Sequence, residues 1–279
     1  MGAKFTRRRF LTALSAGAIC LTLTNTVGRE LLERAPKLTA LHAPRVNSLR
    51  TPKVWPLPSV SPVPPKSVWA FRSRPDLSPA ALEMTTWAQG TSPGYILVAL
   101  KEGAGEHGPM IVDDQGQLVW YSKYRSARDF KVQRYRGMRV LTWWEGSVVA
   151  GHGVGEYVIF DDSYREMARA HPGNGYQGDL HEFLITPQDT ALLTAYNPVP
   201  ADLSAVGGPK YGSVWDGIAQ EVDIETGRVL FEWHSLEHVG IEESYLQLPS
   251  DPRYSYDYFH INSIDVDQDG NLLVSARNT

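Results

Sequence analysis

Residues 259–277 read FHINSIDVDQDGNLLVSAR, and this stretch decides the fold class. It holds two candidate strands, Ile261–Val266 and Asn271–Arg277, separated by Asp267-Gln268-Asp269-Gly270. The spacer is a turn: aspartate side chains bond the backbone of their own loop, and glycine supplies a positive φ. Two short apolar runs joined this way form an antiparallel hairpin. With the turn centred between Gln268 and Asp269, His260 falls directly across from Arg277. Cross-strand partners point to one face, and Asn262, two residues on from His260, shares it.

The same grammar runs back along the chain. Tyr95–Leu100, Gln117–Ser122, Met138–Trp144, Glu156–Asp161, Leu180–Thr186, Ala191–Tyr196, Ile218–Ile224 and Arg228–Trp233 are further candidate strands. Compact turns separate them, among them Asp113-Asp114-Gln115-Gly116, Thr186-Pro187-Gln188-Asp189 and Glu225-Thr226-Gly227. No long segment carries a helical period. The units repeat weakly: Gly116-Gln117-Leu118-Val119-Trp120 resembles Gly227-Arg228-Val229-Leu230-Phe231. Repeated antiparallel hairpins predict an all-β fold, an antiparallel β-propeller, with a sandwich as the runner-up. At about 40–50 residues per blade the chain after residue 85 holds only about four blades. It therefore reads as an incomplete ring, a fragment of a longer chain, with an exposed strand edge near the C-terminus.

The first residues carry a targeting signal. Thr6-Arg7-Arg8-Arg9-Phe10-Leu11 has the form of a twin-arginine export motif, followed by an apolar run to about Leu23. That run is shorter than the ~20 residues a spanning helix needs. The organisation expected is a signal peptide over 1–27, a Pro-rich arm over 28–84 and the propeller over 85–279. Export by the twin-arginine translocase to the periplasm, cell surface or exterior follows. Cys20, the one cysteine, lies in the signal segment, so the mature chain is expected to have neither disulfide nor cysteine metal site. Ile19 before it disfavours lipidation. A net charge of −4, with no basic, aromatic-interleaved stretch in the body, gives nucleic acid no footing.

Two histidines occupy matching places at strands that open hairpins, in Asp179-Leu180-His181-Glu182-Phe183 and Phe259-His260-Ile261-Asn262-Ser263. With the first turn centred between Gln188 and Asp189, His181 faces Tyr196. In a propeller such strands line the channel, which would gather two imidazoles, an amide and a guanidinium. That set is rich in donors and poor in carboxylates, and suits a tetrahedral anion. A strand histidine is also commonly a satisfied core residue, so the pattern alone assigns no activity.

Three segments add a resemblance. Gly178-Asp179-Leu180-His181-Glu182-Phe183, Gly151-His152-Gly153-Val154-Gly155, and His260-Ile261-Asn262-Ser263-Ile264 with Ser275-Ala276-Arg277-Asn278 resemble the arylsulfotransferase family. The likeness runs from about Gly94 to the last residue. It implies a six-bladed propeller that moves a sulfuryl group from an aryl sulfate to a phenol through a sulfohistidine, without a nucleotide donor or other cofactor. It makes His260, Asn262 and Arg277 the grip on the sulfuryl oxygens and, more loosely, His181 another channel histidine. The covalent histidine it implies lies beyond Thr279, so the fragment alone is expected to be inactive. The alternative is an exported, non-catalytic propeller that binds an anionic or aromatic ligand in its channel.

Other signals are set aside. Asp265-x-Asp267-x-Asp269-Gly270 begins like a calcium loop, but Ala276 stands where the bidentate glutamate belongs; no metal is expected. Gly151-x-Gly153-x-Gly155 lacks dinucleotide-binding spacing and reads as a bend from which His152 could reach the channel. His107, His171, His234 and His238 read as solvated connections, and Glu182 and Glu221 as weak acid–base candidates. The export reading has a direct check: Arg7→Lys with Arg8→Lys in a secretion reporter is expected to hold the passenger in the cytoplasm, and normal export of the double variant would refute it.

Overall fold

The computed structural model describes residues 10–14, 68–86, 90, 92–124 and 126–279. Most of the predicted signal segment and arm, with Cys20 and the twin arginines, lies outside the described residues. The chain is all-β: the described residues hold fourteen strands, three short 3-10 turns and no α-helix.

Thirteen of the strands form four consecutive antiparallel meanders. The first is β2 (Ile96–Ala99), β3 (Pro109–Val112) and β4 (Leu118–Tyr121). The second is β5 (Ala127–Tyr135), β6 (Met138–Val149), β7 (His152–Phe160) and β8 (Glu166–Ala170). The third is β9 (Gly178–Ile185), β10 (Thr190–Ala201), β11 (Gly212–Asp223) and β12 (Val229–His234). The last is the hairpin of β13 (Ile261–Val266) and β14 (Leu272–Ala276). A single pair, Gly155 with Gly178, links the second meander to the third.

All ten predicted strands are present, several of them longer than expected. The sequence pattern missed β3, β5 and β8. Pro109-Met110-Ile111-Val112 is buried throughout and so shows no alternation. β5 and β8 are rich in charge, which pairing satisfies: Lys131 Nζ lies 2.5 Å from Glu182, and Arg169 meets Glu145 at 2.6 Å and Glu156 at 2.7 Å. The exposed C-terminal edge is also corrected. β14 pairs in parallel with β1 (Phe10–Leu14), from Phe10 opposite Leu272 to Leu14 opposite Ala276. An open edge presents unpaired amides and carbonyls, and an apolar segment of the same chain takes them up.

The core lies between the meanders. Ile111, Trp120 and Leu97 of the first meet Trp143, Val158 and Phe160 of the second. Trp144, Tyr157 and Ile159 of the second meet Phe183, Leu193 and Val222 of the third. Leu192, Ala219 and Trp233 of the third meet Ile261, Ile264, Leu272 and Val274 of the fourth. Successive strand residues therefore enter different cores, as Trp143 and Trp144 do, because side chains alternate across a sheet. Each four-stranded meander is covered on both faces.

His234, at the end of β12, is not a solvated connection. Its Nδ1 donates to Asp216 Oδ2 at 2.6 Å and its Nε2 to Glu232 Oε1 at 3.0 Å. Burial pulls its pKa down, but the bonds to Glu232 and Asp216 outweigh that and leave it raised. The folded state thus holds this proton more tightly than the unfolded chain. The gain is complete below the unfolded value and disappears as pH rises through the folded one. Thermal unfolding midpoints should fall as pH is taken upward from about 6, the ordinary histidine range; His234→Gln should flatten that segment of the profile.

Candidate functional site

The strand ends gather three imidazoles. His152 opens β7, His181 lies on β9, and His260 immediately precedes β13. The ring centroids of His152 and His260 are 5.3 Å apart, and those of His181 and His260 are 5.0 Å apart. Tyr196 of β10 and Trp215 of β11 close on His152, with centroids 4.0 and 4.6 Å away. His152 and His260 are each only 2% exposed, so every polar atom they carry needs a partner.

The expected pairing of His260 with Arg277 is present, but by another route. From Ser263 to Val266 the register differs by one from the predicted hairpin, with Ile264 opposite Val274. A bulge at Asn262 restores the offset, so Ile261 faces Ala276. Arg277 N then donates to His260 O at 2.9 Å, and Arg277 Nη2 lies 3.2 Å from His260 Nδ1. The same bulge removes the alternation that put Asn262 on the face of His260. The Asn262 side chain enters no hydrogen bond among the described residues. The first hairpin is likewise offset: Leu193 faces Phe183, and a bulge intervenes before Ala195. Tyr196 still reaches the cluster, 6.4 Å from the His181 ring, with its hydroxyl donating to Ile261 O at 2.7 Å. Burial holds that phenol well above its usual pKa, so it stays neutral.

His260 adopts φ = 54°, a conformation that costs a non-glycine residue about 1–3 kcal/mol. The surroundings over-determine it. Its carbonyl receives Arg277 N, the Phe259 carbonyl receives Asn278 N at 3.1 Å, and its Nδ1 is hydrogen-bonded to Asp257 Oδ2. Strain of this kind, held by flanking bonds, marks a residue whose placement matters more than its local comfort.

The site is not poor in carboxylates, which corrects the sequence reading. Asp179, fully buried, accepts from Gly153 N at 2.6 Å and from His181 N at 3.0 Å, and pairs with His181 Nδ1 at 2.5 Å. Gly153 has to be glycine: a Cβ there would sit 2.4 Å from Leu180 N. Asp257 Oδ2 serves His260 Nδ1 and lies 3.5 Å from His152 Nε2. A carboxylate at Nδ1 calls for the Nδ1–H tautomer and leaves Nε2 for whatever enters the site. His260 Nε2, both ring nitrogens of His152 and Asp257 Oδ1 are buried without a hydrogen-bond partner. Burial also lowers the pKa of His152 and favours its neutral form. One ligating atom from each of His152, Asp257 and His260 falls within 4.8 Å of the others.

These residues match a known family by an independent route. The family model for arylsulfotransferase (ASST) matches residues 131–279, just over half of the chain. The chain belongs to the arylsulfotransferase family. The match begins within β5 and includes His152, His181, Asn262, His260 and Arg277. A search of curated proteins found no match.

In this arylsulfotransferase-family chain the structure brings together three of the four predicted residues, His181, His260 and Arg277. It adds His152, which the glycine-rich context disguised as a bend, and Asp179, Asp257 and Trp215, which sequence reasoning missed. A signal for the carboxylates was present: Asp179 precedes His181 by two positions and Asp257 precedes His260 by three. The calcium-like segment is a turn, with Asp267 Oδ1 accepting from Asp269 N at 2.9 Å and Asn271 N at 2.7 Å. Glu182 is committed to Lys131, and Glu221 accepts from Thr190 Oγ1 at 2.7 Å. Beneath the site, the fully buried Tyr157 hydroxyl donates to Asp179 O at 2.5 Å and lies 3.2 Å from Thr194 O. Tyr157→Phe removes that donor from buried carbonyls, and a loss of about 1–3 kcal/mol is expected in urea unfolding, with little change in slope.

Proposed function

We propose that the cluster grips the sulfuryl group of an aryl sulfate during its transfer to a phenol. The observation that carries this reading is Arg277: it is an exposed residue whose Nη2 nevertheless sits 3.2 Å from His260 Nδ1, and Nε2 of that histidine is buried and unpartnered. A fixed cationic fork beside a free imidazole nitrogen is a receptor for a tetrahedral oxyanion. Family membership gives that anion its chemical class.

The four meanders act as successive blades of a propeller. Their face-to-face packing, with one core between each neighbouring pair, is the arrangement that blades require. The site then lies where inner strands β9 and β13 open onto the channel. The protein reaches this function outside the cytoplasm, carried by the twin-arginine translocase.

The reaction has two balanced halves. In this reading a neutral histidine attacks sulfur, the S–O bond to the aryl group breaks, and the phenolate leaves and takes a proton from an acid in the site. A second phenol then attacks sulfur, the S–N bond breaks, and the acceptor proton passes to a base. His260 and Arg277 hold the nonbridging oxygens in both halves, and His181, with Asp179 behind it, donates or receives the proton.

Pre-organised donors of this kind typically contribute about 10²–10³-fold to rate. Arg277→Ala and His260→Ala in the full-length protein should each lower kcat for a chromogenic aryl sulfate by about that factor, with a smaller change in KM. Parental turnover in both variants would exclude the grip. Saturable binding of the aryl sulfate with no transfer to phenol in the parent would instead support a non-catalytic binding module.

A further inference from the structure

We propose that His152, Asp257 and His260 form a binding site for one divalent transition-metal ion of the zinc class. The inference does not rest on sulfuryl transfer, and each can fail without the other.

Spacing is the first argument. One donor atom from each residue lies within 4.8 Å of the others. Zinc takes nitrogen and oxygen ligands at about 2.0–2.2 Å, which sets neighbouring donors roughly 3.3–3.6 Å apart in a tetrahedron. His152 Nε2 and Asp257 Oδ2 already stand at 3.5 Å. Asp257 Oδ2 is also hydrogen-bonded to His260 Nδ1, a contact closer than two ligands of one ion can stand, which must open and lose its proton for both atoms to ligate. Metal binding at such a pair releases a proton, as expected for ligands that must be deprotonated.

Orphaned atoms are the second. Both nitrogens of His152, Nε2 of His260 and Oδ1 of Asp257 are buried with no hydrogen bond. Buried polar groups left in this state are uncommon and costly. Neither nitrogen of His152 has a hydrogen bond, Asp257 Oδ2 approaching Nε2 only to 3.5 Å, and an ion would give one of them a close partner. The ring cannot turn away to solvent, because Tyr196 and Trp215 flank it.

The donor set selects the ion. Two imidazoles and one carboxylate suit zinc, iron, nickel or copper and are a poor match for magnesium or calcium, which prefer all-oxygen sites. Three protein ligands leave a fourth position open. His181 stands beside it, 5.0 Å from His260 between ring centroids, with Asp179 holding its Nδ1 at 2.5 Å. That pairing leaves Nε2 of His181 for the ion or for a water on it, in the manner of carboxylate–histidine–metal sites.

Arg277 opposes the ion, since its guanidinium lies 3.2 Å from His260 Nδ1. Its side chain belongs to an exposed residue and can withdraw to solvent, but it weakens the site while it stays. The sign of its substitution therefore separates the two kinds of occupant. Removing Arg277 should weaken an anion and tighten a cation.

The test is calorimetric titration of Zn²⁺ into the metal-free full chain, with Co²⁺ absorption as a second readout. One equivalent should bind saturably, and Co²⁺ should give the visible d–d bands of a low-coordinate site that Zn²⁺ then abolishes. His152→Ala and Asp257→Asn should each weaken binding by at least about tenfold, the lower range seen even for outer-shell losses. Arg277→Ala should tighten it, and His171→Ala should leave it unchanged. The Co²⁺ bands in the unmodified chain hold even if a substituted chain fails to fold. No saturable Zn²⁺ binding, or binding that survives both His152→Ala and Asp257→Asn in folded protein, would overturn the site.

Discussion

A carboxylate with no exposed surface has to be answered from inside the protein, and the answer to Asp179 organises everything around it. Its two oxygens draw in the amide of Gly153 from the start of β7, the amide and ring of His181 on β9, and the hydroxyl of Thr194 on β10 at 3.4 Å. Three strands from two meanders thereby share one charge. The approach is so close that only glycine fits at position 153, and the neighbouring His152 is delivered to the cluster as a consequence. Tyr157 and Trp144 support the same point from below, donating to the carbonyls of Asp179 and Gly178. Breaking the Asp179 contacts would leave a buried charge and also release the start of β7, which carries His152.

The stacked meanders explain why chemistry collects where strands begin and end. With both faces of the second and third meanders covered by apolar cores, the strand interiors are occupied by Trp143, Trp144, Tyr157, Leu192 and Leu193. Polar side chains able to meet a ligand are left to strand termini and the loops beside them. His152 opens a strand, His260 precedes one, and Arg277 follows one. The glycines at 155 and 178 form the one ladder pair between β7 and β9, which keeps these strands close beside the cluster.

The charge balance of the cluster is more even than a simple anion receptor would need. Arg277 offers a permanent positive charge at the exposed side, while Asp179 and Asp257 stand behind the imidazoles. A carboxylate behind a histidine fixes its tautomer, aims its Nε2, and lets the ring take a proton without leaving an uncompensated charge. The same arrangement orients metal ligands. The site thus sets a cationic side chain on an exposed residue against a carboxylate that is fully buried.

How much of this was legible in the sequence depends on the range of the interaction concerned. Turns with Asp and Gly, and apolar runs between them, are local, so the all-β class and ten of the strands could be read directly. β5 and β8 could not, because their charged residues are satisfied by Glu182, Glu145 and Glu156 on other strands. The far half of β10 was hidden by Pro198 and Pro200, which are tolerated because β9 no longer pairs there. The residues of the site were legible as types: His181, His260 and Arg277 stood out, and the Asp two or three positions ahead of each histidine was there to be noticed. Their register was not, since the bulge at Asn262 both restored the His260–Arg277 pairing and removed Asn262 from it. By itself the sequence determined the all-β class, ten of the strands and the turns between them, because those preferences act over a few neighbouring residues. Only the tertiary structure decided that His152 and Asp179 belong with Asp257 and His260, because burial and cross-strand contact join residues that the chain keeps far apart.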